Sequence, residues 1–145
     1  MKNLLLLTLP LSFFLSLSLY PPDLVKDVLS YTNDFRRSKR LTPLQINVDL
    51  NRIASKHSQD MANGRVGFGH DGYMQRYNQV RKAIKGARYF GENVAMGVRT
   101  GKDVVKMWER SPEHRKNMLG NYRYIGIGIA TDRRGRTYYT QVFAN

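Results

Sequence analysis

Apolar residues recur along this chain with two periods, one helical and one extended, and together they outline its elements. Leu24, Val25, Val28, Leu29 and Phe35 keep helical spacing behind Asp23, a suitable N-cap. The basic run RRSKR (36–40) closes that helix and Leu41-Thr42-Pro43 breaks it. A second helix is predicted over 48–63. There Leu50, Ile53, Ala54, His57, Ser58 and Met61 form one inward stripe, and Asn63-Gly64 ends it. Residues 64–90 carry glycines, aspartates and scattered aromatics, which predicts a loop with a short helix over 74–84. FGENVAMGV (90–98) reads as a short buried strand. Thr100 caps a third helix through Val104, Val105 and Trp108; Pro112 interrupts it, and a further helical turn covers 113–119. The segments 124–132 and 135–144 alternate at period two around Asp132-Arg133-Arg134-Gly135, the pattern of a hairpin. Helices before, between and beside antiparallel strands predict layered α+β packing.

Composition narrows the class. With 145 residues the chain suits one domain, and roughly two thirds of the unfolded surface of such a domain is buried on folding. It has no cysteine, so disulfides, a thiol nucleophile, a thiolate metal site and an acylated cysteine anchor are all excluded. Lys2 followed by a leucine-rich run to Leu19 has the charged start and apolar middle of an export signal, with small residues at Ser16 and Ser18 for cleavage. The expected organisation is therefore a signal peptide at 1–18 and a single secreted domain at 19–145. A retained membrane anchor is the rival, opposed by Pro10 and the shortness of the run. The net charge of +13 barely changes on processing and favours anionic partners such as membranes, envelopes or glycans. The arginines and lysines are dispersed and accompany no nucleic-acid motif, so nucleic acid is not an expected partner. The group from Arg76 to Arg88 is the best candidate for an anionic lipid surface, with a solvated face as the alternative.

Candidate chemistry rests on three residues. His70 stands in the glycine-flanked loop GFGHDG (67–72), Glu92 in the buried strand, and His114 in the helical segment SPEHRKNML (111–119). Two imidazoles and a carboxylate are the protein ligands of some catalytic zinc centres, whose fourth position holds water. No local HExxH spacing supports this; the other readings are a polar binding cleft and a structural network in which both histidines hydrogen-bond Glu92. His57, on the apolar stripe, reads as a satisfied core histidine, and Trp108 as core or cleft wall. Ser58 and Ser111 lack a nucleophile elbow, so a serine triad is not expected. Asn93 is expected to satisfy backbone at the strand end, and Arg115 to be solvated.

Several strings occur together in one order: Asn33-x-x-Arg36, ASKHSQDMA (54–62), His70, GEN (91–93), the tryptophan followed by SPEHRKNML, IGIGIA (125–130) and YYTQVF (138–143). In this the chain resembles the CAP superfamily, which includes cysteine-rich secretory proteins, antigen-five venom proteins and plant pathogenesis-related class 1 proteins, and most of all its cysteine-free bacterial-type branch. The resemblance implies a three-layer α-β-α sandwich with a central antiparallel sheet and a surface cleft. Larger members line that cleft with two histidines and two glutamates. His70 and Glu92 match the first of each, whereas Ser111 and Tyr138 stand where the others are expected; His114 belongs to the SPEHR string of the branch. The resemblance further implies an extracellular, non-catalytic binding or effector module, monomeric, whose polar cleft of His70, Glu92 and His114 accepts a lipid, a sterol or a peptide. Two rivals remain: a divalent-metal hydrolase with zinc on His70 and His114 and Glu92 as ligand or base, and a cationic protein acting on anionic membranes.

Overall fold

The computed structural model describes residues 23–145, so the expected export signal at 1–18 lies outside the described residues. The elements in chain order are α1 (Leu24–Ser38), β1 (Gln45–Ile46), α2 (Val48–Ala62), α3 (Tyr73–Ala83), β2 (Phe90–Met96), α4 (Gly101–Arg110), α5 (Pro112–Met118), β3 (Tyr124–Thr131) and β4 (Thr137–Ala144). Capping residues define the helix starts. Asp23, Asn47 and Thr100 accept from the backbone N–H groups of Lys26, Leu50 and Asp103, each satisfying a donor that the first helical turn leaves free.

The strands form one sheet in the order β1-β3-β4-β2. β2, β4 and β3 are antiparallel, as expected, with Glu92 opposite Val142 and Gly126 also opposite Val142. The sheet is mixed because β1, absent from the sequence reading, joins its far edge in parallel, pairing Gln45 with Tyr124 and Ile46 with Ile125. Two residues are too few to show a period.

Period-two alternation assigns the two faces. Ile125, Ile127, Tyr139 and Phe143 pack with Val28, Val104, Val105 and Trp108 of α1 and α4. Val142 and Ala144 face Leu50, Ile53 and Ala54 of α2 on the other side. The result is the α-β-α sandwich. The string IGIGIA has a direct cause: its isoleucines fill the α1/α4 layer, while Gly126 and Gly128 let the α2 backbone rest on the strand. A Cβ at either glycine would overlap the main chain of Leu50 or Ala54.

Arg36 corrects the picture of a dispersed basic surface. It is buried, donating from Nε to the Thr42 carbonyl at 2.9 Å and from Nη1 to those of Met118 at 2.7 Å and Gly120 at 2.9 Å. One guanidinium thereby ties the end of α1 to the carbonyls that close α5. Asn33, one turn earlier, exchanges two hydrogen bonds with the backbone of Leu44 and fixes the segment entering β1.

Candidate functional site

Glu92 sits in the middle of β2 with its side chain wholly buried, so its charge requires partners. It receives three hydrogen bonds. Arg76 of α3 donates from Nε to Oε2 at 2.5 Å and from Nη2 to Oε1 at 2.7 Å, and His70 Nδ1 lies 2.8 Å from Oε1. Because a carboxylate oxygen only accepts, the His70 proton resides on Nδ1 and leaves Nε2 free. The His70 side chain is 45% exposed, so the free edge belongs to the surface.

The loop carrying His70 is held from both sides. Gly69, at φ 142°, adopts a conformation that L side chains rarely reach. Its carbonyl accepts from His57 Nε2 at 2.8 Å. Arg76 also binds the carbonyl of Asp71 through Nη1 at 2.6 Å and that of His70 through Nη2 at 3.3 Å. The buried His57 is thus a satisfied core histidine that positions the loop. Burial, chiefly, pushes its pKa below the ordinary imidazole value, and the positive charge of Arg76 adds to this.

His114 stands differently from the expected network. β2 turns Glu92 toward α2 and α3 and its neighbour Asn93 toward α5, because successive strand residues face opposite ways. Asn93 donates to the His114 carbonyl and to Gln141 Oε1, both at 3.1 Å, and accepts from Asn117 at 2.9 Å. The His114 ring makes no hydrogen bond to Glu92, and its Nδ1 is buried without a hydrogen-bond partner. Burial first, and the nearness of the titratable His70 second, lower the His114 pKa. The ring is therefore neutral at neutral pH and shares an electrostatic neighbourhood with His70.

The expected metal set does not assemble. Among the described residues no group of three His, Asp or Glu side chains is placed to hold an ion. The reason is Arg76, whose guanidinium engages both Glu92 oxygens and puts a permanent cation where a metal would bind. The positions that depart from the larger proteins have other occupations. Tyr138 donates to Asp132 Oδ2 at 3.3 Å, and Ser111 joins α4 to α5. The buried Ser58 bonds the Gly128 carbonyl and Thr140 across the sheet, which removes it as a nucleophile. Trp108 is fully buried, with Nε1 donating to the Val94 carbonyl, and belongs to the core.

Sequence reasoning missed Arg76, which it grouped with the candidate lipid surface. The available signal was that Arg76 and Val80 share one face of α3 at i,i+4, and both are buried. Asn93, expected to satisfy backbone at the strand end, does bond a backbone carbonyl, that of His114, and with Asn117 it also fixes α5 to the sheet.

The family assignment follows from this architecture. The chain belongs to the cysteine-rich secretory protein (CAP) family, whose model matches residues 29–143. It is 37% identical over 106 residues to YkwD, an uncharacterized protein of Bacillus subtilis strain 168, covering 71% of this chain and 41% of that protein. Among solved structures it is similar to an extracellular protein containing an SCP domain from Bacillus anthracis strain Ames, with TM-score 0.70 and 26% identity over 82% of this chain and 39% of that one. A cysteine-rich secretory protein of Staphylococcus aureus aligns at TM-score 0.70 and 27% identity, over 85% of this chain and 38% of the other. An outer surface protein of Borrelia burgdorferi, 21% identical at TM-score 0.70, shares the fold. The chain spans about two fifths of the length of the Bacillus and Staphylococcus relatives.

Proposed function

We propose that this is a secreted CAP-domain binding module that recognises a polar group of a lipid, sterol or peptide with His70 and His114. The observation that carries this is the Glu92–His70 hydrogen bond, which fixes one imidazole by its inner nitrogen and presents the outer one to solvent. Glu92 acts as an internal anchor in this reading, since its lone pairs are committed to Arg76 and His70. The neutral His114 ring adds a second polar contact that desolvation keeps uncharged. Extracellular operation agrees with the descriptions of the Bacillus anthracis and Borrelia proteins.

Binding of dehydroergosterol and of an acetylated peptide library, followed by fluorescence and by imidazole chemical shifts, tests the reading. A ligand that shifts both rings and binds at least about tenfold more weakly to His70→Ala or His114→Ala supports it. Ester or peptide hydrolysis abolished by His70→Ala would replace it with an enzyme. Chelator should change nothing, because in this reading Arg76 occupies the carboxylate that a metal would need.

A further inference from the structure

Arg36, 2% exposed, is the one buried charged side chain that meets no opposite charge among the described residues; Arg76 and Glu92, the other two buried ions, neutralise each other. Buried charges are ordinarily paired, because an unpaired one gives up its hydration with nothing to offset the loss. The three carbonyls that Arg36 holds take their bonds from Nε and Nη1 and bring no net charge. Burial lowers the Arg36 pKa, and no neighbouring carboxylate opposes the shift. Its Nη2 donates to none of the described residues, yet it is not sealed in. Among those residues His114 Nδ1 is the one enclosed polar side-chain atom without a partner, so Arg36 Nη2 keeps an opening to solvent.

The opening is a cavity of about 510 Å³, where the segment entering β1 meets the turn between α5 and β3. Arg36 and Arg123 line it, and no aspartate or glutamate does. Tyr122, the third titratable group on its wall, stays neutral because burial raises its pKa. Leu41, Pro43 and Leu119 supply apolar wall, and the carboxamides of Gln45 and Asn121 supply donors and acceptors. The size is ordinary for a small-molecule site. One negative charge would balance Arg36, whose remaining nitrogen offers charge-assisted hydrogen bonds to an oxyanion. A hydrocarbon would leave Arg36 unneutralised, and a bare phosphate would leave the apolar wall and the carboxamides without partners. Strand addition along β1 is blocked, because Asn33 already occupies both backbone groups of Leu44. Recognition here therefore uses side chains.

We infer that this cavity binds an N-acylated α-amino acid carboxylate, the chemistry of a peptide C-terminus. The carboxylate sits on Arg36 Nη2 with Arg123 beside it, the amide at Gln45 or Asn121, and an apolar side chain against Leu41, Pro43 and Leu119. Neither His70 nor His114 lines the cavity, so the site does not depend on them.

The test is titration with N-acetyl-leucine, followed by the nitrogen and proton shifts of the Arg36 guanidinium in the unsubstituted protein. Saturable binding that moves those signals is expected, with the neutral N-acetyl-leucinamide at least about tenfold weaker. N-acetyl-Ala-Ala-Leu binding at least as tightly identifies a peptide end as the source; weaker binding identifies a free acylated amino acid at the same site. Arg36→Gln should abolish binding. Arg123→Glu, at an exposed side chain, should weaken it about fivefold and serves even if Arg36→Gln fails to fold. His70→Ala should leave binding intact. Equal binding of the amide, Arg36 signals that do not respond, or binding undiminished by Arg123→Glu would each overturn the assignment. So would inorganic phosphate binding more tightly than N-acetyl-leucine, which would make the cavity a site for a bare oxyanion.

Discussion

Arg76 and Glu92, sixteen residues apart, form a bidentate ion pair inside the protein, and His70 docks onto the same carboxylate. Removing one partner of a buried pair strands the other charge, at about 3–5 kcal/mol. Arg76→Ala should therefore lower the urea unfolding free energy by about that amount. Glu92→Gln paired with Arg76→Met should recover much of it. A loss below about 1 kcal/mol for Arg76→Ala would mean that water already solvates the carboxylate.

Gly128 gives a steric prediction. A methyl there meets the backbone of Ala54, which cannot move without lifting α2 from the sheet. Gly128→Ala should cost about 3 kcal/mol or more, whereas Gly67→Ala, whose added carbon would touch only Asp71 at ordinary distance, should stay within about 0.5 kcal/mol. Thermal melts of the two variants decide this.

Acidification should destabilise the fold in a defined window. His57 and His114 have native pKa values below the ordinary imidazole value of 6.5, so the unfolded chain binds protons more readily. Their contribution to stability is complete above pH 6.5 and declines as the pH falls toward the depressed native values. Urea midpoints between pH 7.5 and 5 should fall in the unsubstituted protein and fall less steeply in His57→Gln/His114→Gln. An unchanged slope in the double variant would show that other groups carry the effect. The lowered carboxyl pKa values of Asp60 and Asp132 act in a separate window, below 3.8.

Zinc should be thermodynamically silent. A ligand at a hundred times its dissociation constant stabilises the native state by about 2.7 kcal/mol. Excess zinc should leave the melting temperature unchanged, and a rise that disappears in His114→Ala would show that Arg76 swings away to admit a metal.

Where one period dominated, the sequence was readable. The α2 stripe from Leu50 to Met61 is buried residue for residue, and the isoleucines and glycines of β3 sort to opposite faces. What stayed hidden were charged residues that the fold takes inside. Arg36 lies in a basic run and Arg76 on an otherwise hydrophilic helix, and an arginine is exposed by default until an orphaned partner is known. For Arg76 that partner is Glu92; for Arg36 it is the set of carbonyls closing α5. Of the readings open for Glu92 and His114, a network with a direct hydrogen bond between them does not form, because alternation within β2 turns Glu92 away from the α5 side and gives that place to Asn93. Neither β1 nor its parallel pairing had a signal, since two residues acquire strand geometry only from β3.

The position of β4 has a consequence for how the molecule comes into being. Every antiparallel ladder includes β4, the latest element in the chain, and Gln141 within it reaches back to Thr32 across 109 positions. A nascent chain growing from its N-terminus therefore carries β2 without its pairing strand until Thr137–Ala144 has been synthesised. Contacts of such long range close slowly, and until they do the polypeptide remains threadable. A chain cut before Thr137 should possess helices in isolation and no antiparallel sheet, so this sandwich closes from its tail.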